Sequence, residues 1–174
     1  MTKGIVVDAN IISSFIKEEN GKKETIHFII TAIKNTYGFA INNIIEQEWR
    51  NTAGNEFFRY WFDDALIHEK ISYVSETKKI SKPEKKEIDQ EYGFPIHGSR
   101  DIHYIICAIN TEKKYICTND IHFFDPKQKA SDPSKQERTK RDRSGRFCKY
   151  LKSHFDITVG LPDHCSCDLK ISNS

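Results

Sequence analysis

The stretch GIVVDANIISSFI, residues 4–16, decides how the chain is read. Ile5, Val6 and Val7 form a continuous apolar run, as expected of a short strand buried on both faces of a parallel sheet. Asp8 follows at once, with Asn10 two residues on. An acid at the end of a buried strand is ordinarily a turn former or a helix cap. Its meaning here rests on what the rest of the chain places beside it.

Working outward, helices and short strands alternate. Residues 24–35 (ETIHFIITAIKN) put Ile26, Ile29, Ile30 and Ile33 on one helical face, and Gly38 is a natural C-cap. After the short strand FAI, Asn42-Asn43 offers an N-cap for IIEQEWRNTAG; Gly54-Asn55 separates that helix from the aromatic NEFFRYWFDDALIHEK. A short extended segment is expected between Ile71 and Val74. KPEKKEIDQEYGFP opens with Pro83 in a first helical turn and stops at Gly93 and Pro95. In SRDIHYIICAIN, Ser99 is the expected cap and Ile102, Ile105, Ile106 and Ile109 the buried stripe. The strand KYICT ends at Asn119-Asp120. A helix FCKYLKSHF and a strand DITVGLP close the chain.

This alternation implies βαβ units, an α/β fold with a central, mainly parallel sheet. At 174 residues, one domain covering 1–174 is expected. Residues 126–146 lack periodicity and read as a long basic loop, an insertion at about 127–146. Pro126 to His154 carries ten Lys or Arg against three acids, although the whole chain has a net charge of only +2. The remainder is therefore acidic, and a concentrated basic segment suits contact with a polyanion.

Hydrophobic residues at 37% and charged residues at 30% mark a globular rather than a disordered chain. No window approaches the ~18 apolar residues of a membrane helix, and the apolar run in MTKGIVVDAN is too short for a signal peptide. No membrane association is expected, and the expected location is the cytoplasm. Five cysteines, an odd number, are expected to be reduced.

Ligands of parallel α/β sheets bind beyond the carboxyl ends of the strands, which puts Asp8 and Asp120 at one edge. Asp101 lies in the first turn of the helix leading into KYICT, and Glu48 is near the start of the helix after FAI. Both helix starts belong at that same edge. Convergent carboxylates repel one another unless a cation neutralises them. Hard oxygen ligands select Mg²⁺ or Mn²⁺, and such a centre suits phosphodiester hydrolysis.

In that order, VVDANIISSFI, IIEQEWR, SRDIHYIICAI and YICTNDIHFF resemble the four acidic motifs of the PIN domain family of metal-dependent ribonucleases. The resemblance spans roughly residues 4–125, and the last two motifs at their mutual spacing are its most specific part. It implies a three-layer α/β/α sandwich and an acidic pocket binding Mg²⁺ or Mn²⁺. The implied activity is endoribonucleolytic cleavage leaving a 5′-phosphate and a 3′-hydroxyl. By position, Asp8, Glu48, Asp101 and Asp120 correspond to the catalytic, metal-binding acids. Thr118 and Asn119 match the polar pair before the last acid, and Asn10 the polar residue after the first. Glu46 projects about 200° from Glu48 on a helix; aligning Ile44-Ile45 with the family pattern favours Glu48.

Arg100, Lys140, Arg141, Arg143 and Arg146 are the expected RNA contacts, with Arg50 a further candidate. RNA is the expected partner, and a toxin–antitoxin context would add a cognate antitoxin or other regulatory protein. The aromatic run FFRYWF reads as core or as a homodimer face. His103, about 200° from Asp101, reads as solvated or at the core edge, and His122 is given no catalytic part. Asp125, beside Pro126, reads as a turn residue. Cys148, His154, Cys165 and Cys167, or His164 in place of one, are the alternative of a zinc site, although CxC is not the usual hairpin spacing. Two rival functions are a nuclease-dead PIN-like module binding nucleic acid or protein, and a phosphatase-like Asp-based phosphoryl-transfer enzyme. The latter chemistry suits DxD after the first strand, and this chain has Asp8-Ala9-Asn10.

Overall fold

A computed structural model describes residues 2–17 and 23–170. Among these residues, five short strands carry the apolar runs: β1 (Val6–Val7), β2 (Phe39–Ile41), β3 (Ile71–Tyr73), β4 (Tyr115–Cys117) and β5 (Thr158–Gly160). β1, β2 and β4 are wholly buried, which is why their sequences are continuous rather than alternating. Every pairing is parallel: β4 lies between β1 and β5, and β2 pairs with β3. A parallel bridge between Ile5 and Phe39 joins the two ladders, giving the spatial order β3-β2-β1-β4-β5. The chain thus winds one way from β1 to β3 and the other way from β4 to β5. The reversal falls between β1 and β4, and crevices beyond the strand ends open at such a switch.

Between the strands run α1 (Ala9–Lys17), α2 (Lys23–Thr36), α3 (Asn43–Ala53), α4 (Glu56–Ile67), α5 (Lys82–Gln90), α6 (Ile102–Ile109), α7 (Pro133–Asp142), α8 (Arg146–Phe155) and α9 (Pro162–Asp168). Helix α6 packs on β1, β2 and β4, while α8 and α9 flank the edge strand β5. Asn42 caps α3 as expected, its Oδ1 accepting from the N–H groups of Ile44 and Ile45. Ser81 and Glu84 close a capping box on α5. Gly38 ends α2 at φ +71°. Gly4 has φ +122°, and a Cβ there would lie 2.7 Å from the Phe39 carbonyl carbon. Only glycine lets β1 enter the sheet so close to β2.

Three expectations need correction. Helix α1 begins at Ala9, directly after β1, whereas the sequence placed the first helix at 24–35. The Asp8 carbonyl accepts from Ile11 and Ile12, and Ile11, Ile12, Phe15 and Ile16 are its buried stripe. The basic segment is not a loop: Asp132 Oδ1 accepts from Ser134 N–H at 2.8 Å, Pro133 takes the first helical position, and α7 follows. Its inward residues, Thr139 and Lys140, are polar, so it shows no apolar period. The strand DITVGLP does not close the chain, because Pro162–Asp168 after it form α9.

The aromatic run of α4 divides between two environments. Phe58 and Phe62 are core, whereas Phe57, Tyr60 and Ile67 are exposed. Trp49 on α3 is wholly buried among Phe39, Trp61 and Phe62, and its indole N–H donates to the Val7 carbonyl at 3.0 Å. Helix α3 is thereby tied to the strand that delivers Asp8. Among the described residues no helix is long and apolar enough to cross a membrane.

Candidate metal centre

Asp8 stands where β1 becomes α1, 5% exposed. Its backbone N–H continues the ladder to the Cys117 carbonyl at 2.9 Å, so the carboxyl end of β4 lies alongside. One carboxylate oxygen accepts from the Asn10 N–H at 3.0 Å and the other from the Thr118 hydroxyl at 2.6 Å. Burial nevertheless pushes this carboxyl from 3.8 up to about 7. Those two hydrogen bonds oppose the rise, while the charges of Asp120 and Glu48 add to it.

Thr118 links two of the acids. Besides donating to Asp8, its Oγ1 accepts from the Asp120 N–H at 3.0 Å. Asp120 then caps the short 3₁₀ turn Ile121–Phe123, its Oδ1 accepting from the His122 N–H at 2.9 Å. Asn119 is exposed. Its side-chain and backbone oxygens accept from Lys140 Nζ at 2.9 and 3.3 Å.

Tyr104 links the other side. Its hydroxyl accepts from the Ala9 N–H at 3.1 Å and donates to Glu48 Oε2 at 3.0 Å. Burial raises the phenol well above its usual range, so it remains a donor. Burial raises Glu48 too, against the Tyr104 hydrogen bond; the charge of Asp101 adds to that rise and Arg100 opposes it. Asp101, at the start of α6, is raised first by burial and further by Asp120, with Ser99 and His122 opposing. Ser99 accepts from the Asp101 N–H at 3.1 Å and so supports the turn before α6 rather than capping α6 itself.

Three of the acids therefore feel their neighbours: Asp8 the charges of Asp120 and Glu48, Glu48 that of Asp101, and Asp101 that of Asp120. Four residues far apart in sequence share one electrostatic environment at the switch between β1 and β4. Glu46 points elsewhere, to Arg50 at 2.8 Å and to the Tyr73 hydroxyl. Arg50 also stacks on Phe62. The donor set, hard carboxylate oxygens with too little positive charge among them, fits a divalent cation. Among the described residues, one set of three potential ligands has donor atoms all within 4.8 Å of one another: Asp101, Asp120 and His122.

The chain matches no family model, no curated protein and no solved structure.

The basic residues are placed differently from expectation. Lys140 is 6% exposed and its ammonium is held by Asn119 and Glu137, so it braces the Asn119-Asp120 turn from inside rather than facing solvent. Arg141 pairs with Asp163, Arg143 with Asp168 at 2.7 Å, and Arg146 lies over the Tyr92 ring. Arg100 is exposed beside Glu48.

The zinc alternative does not assemble among the described residues. The Cys148 thiol donates to the Gly145 carbonyl, His154 meets Glu84 at 3.0 Å, and the Cys165 thiol donates to Leu161. Three contributors escaped the sequence reading. Tyr104 was hidden in an apolar helix, although its i+3 spacing from Asp101 puts it on the same face. His122 was set aside, and Lys140 was assigned outward. Burial decides the last two, and no pattern in the sequence displays it.

Tyr104→Phe is expected to lower stability by about 1–2 kcal/mol, because it strips an acceptor from the buried Ala9 N–H and a donor from Glu48. Urea unfolding of the metal-free protein measures this. Equal midpoints for variant and wild type would show that the hydroxyl carries no such load.

Proposed function

We propose that the chain is a PIN-like, metal-dependent endoribonuclease built as a three-layer α/β/α sandwich. It hydrolyses RNA phosphodiester bonds to leave a 5′-phosphate and a 3′-hydroxyl. The observation that carries this reading is the convergence of Asp8, Glu48, Asp101 and Asp120 at the carboxyl edge of a parallel sheet. Asp8, Glu48 and Asp101 are each raised by burial and by the charge of at least one other acid of the four.

In this reading the four carboxylates hold Mg²⁺ or Mn²⁺. A bound ion supplies an activated water and stabilises charge on phosphorus and the leaving oxygen. The chain's own groups set the geometry. Thr118 and the Asn10 N–H orient both oxygens of Asp8, Tyr104 orients Glu48, and Lys140 holds the turn carrying Asp120. Arg100, exposed and with its charge acting on Glu48, would be the contact for a substrate phosphate. In a toxin–antitoxin setting, a cognate antitoxin or other regulatory protein would bind, and Phe57, Tyr60 and Ile67 offer a homodimer face. The reading places the protein in the cytoplasm.

The test is an RNA cleavage assay with Mg²⁺ or Mn²⁺ comparing wild type, Asp8→Asn and Asp101→Asn. Cleavage by the wild type and its loss in both variants are expected. Unchanged cleavage by both variants sinks the site, and a wild type that cuts neither RNA nor single-stranded DNA favours a binding module.

A further inference from the structure

His122 sits among the acids on a rigid mount. Ile121 and Phe123, its neighbours in the 3₁₀ turn, are buried, and the turn is capped by Asp120. The imidazole is turned inward, with 16% of the side chain exposed. Its Nδ1 lies 3.5 Å from Asp120 Oδ1 and 3.7 Å from Asp101 Oδ2. Both separations exceed the roughly 2.7–3.2 Å of an N–H···O hydrogen bond. This nitrogen is also buried without a hydrogen-bond partner. Buried polar atoms are nearly always paired, so an orphan at an acidic site points to a ligand. Two donors bound to one cation at about 2.1 Å stand about 3.0–3.4 Å apart at octahedral or tetrahedral angles. The separations of 3.5 and 3.7 Å lie nearer to that spacing than to a hydrogen bond, and the donor atoms of all three groups fall within 4.8 Å of one another.

We propose that His122 Nδ1 is a metal ligand alongside Asp101 and Asp120, and that it makes the centre prefer Mn²⁺ or another divalent transition ion over Mg²⁺. This rests on the metal centre proposed above and deepens it. Imidazole nitrogen suits first-row transition ions, whereas Mg²⁺ selects oxygen. Ligation through Nδ1 requires the neutral ring with its proton on Nε2.

The competing role is a protonated imidazolium acting as a fixed counter-charge to the two carboxylates. The two roles have opposite signs. Removing a ligand weakens cation binding, whereas removing a resident positive charge strengthens it. The experiment strips the protein of metal with a chelator and titrates Mn²⁺ by electron paramagnetic resonance, with Mg²⁺ measured by competition. His122→Gln is expected to lose about tenfold or more in Mn²⁺ affinity while Mg²⁺ binding changes little, and Asp101→Asn to lose both. Should His122→Gln fail to fold, nitrogen hyperfine coupling in the pulsed spectrum of Mn²⁺-loaded wild type reports the same bond. Its presence supports the proposal and its absence overturns it. Equal or tighter Mn²⁺ binding by His122→Gln, or parallel losses for both ions, also overturns it, as does a wild type that binds neither ion. A wild type that holds Mn²⁺ through His122 yet cuts no RNA leaves this inference standing and removes the nuclease reading.

Discussion

Asp8→Asn is expected to make the metal-free protein more stable at pH 7.5 while reducing RNA cleavage by about 10³-fold or more, on the order of an electrostatic group acting at the reacting centre. The opposition follows from burial. A carboxyl at about 7 in the folded chain and 3.8 as its reference holds its proton more tightly folded than unfolded. Folded protein therefore binds more protons between about pH 4 and 7, and stability falls as pH rises through that window. The raised Glu48 and Asp101 carboxyls push in the same direction.

For Asp8 the full cost above pH 7 is about 4 kcal/mol by the pKa difference. An asparagine avoids it but weakens the hydrogen bond from Thr118, worth about 1 kcal/mol. A net gain of about 2–3 kcal/mol remains. Urea unfolding at pH 5 and 7.5 in the presence of chelator measures it. The variant's advantage over wild type should be small at pH 5 and large at pH 7.5, because most of the cost of ionising Asp8 is added between the two, and the variant should lose most of that slope. Adding Mn²⁺ should then stabilise wild type more than the variant, since a ligand of the folded state at free concentration L adds RT ln(1 + L/Kd) and the variant binds it more weakly. A variant less stable than wild type at both pH values would mean that Asp8 is ionised without strain and needs no cation.

Trp49→Ala is expected to cost about 3–5 kcal/mol, a large share of the 5–15 kcal/mol that holds a typical domain together. The side chain is wholly buried, touches three other aromatic rings, and donates its indole N–H to the Val7 carbonyl. Trp49→Phe keeps most of the ring contact and loses the N–H, so about 1–2 kcal/mol should separate it from wild type. Thermal or urea unfolding of the pair divides packing from hydrogen bonding. If Trp49→Ala came within about 1 kcal/mol of wild type, the contact between α3 and β1 would not be a principal support of the sheet. The carboxylates would feel this change as well, because Trp49 follows Glu48 in the chain and Val7 precedes Asp8.

How legible each element was depended on how its burial was achieved. Ile26, Ile29, Ile30 and Ile33 announce α2 because an apolar stripe at helical spacing has few other uses. Asn42 announces α3 because its short side chain can cap a helix start. Helix α1 was missed because the strand and the helix share one apolar run, with only Asp8 between them. Helix α7 was missed because the side it buries is polar, satisfied by Gln128, Asn119 and Glu137 instead of by packing. Hydrophobic period detects burial only when burial is apolar.

The same distinction governs the candidate site. Local sequence carried the alternation that makes an α/β chain and put Asp8 and Asp120 at strand ends and Asp101 at a helix start; Glu48, in the middle of α3, was preferred to Glu46 through the resemblance of its motif. The folded arrangement set the reversal of strand order between β1 and β4. It also decided that Tyr104 and Thr118 tie the acids together, that Lys140 turns inward, and that His122 faces Asp101 and Asp120. The physical reason is one of range. Strand and helix signals are local, set by neighbours within a few residues, whereas a carboxyl's charge and an imidazole's partners depend on groups brought together from distant parts of the chain.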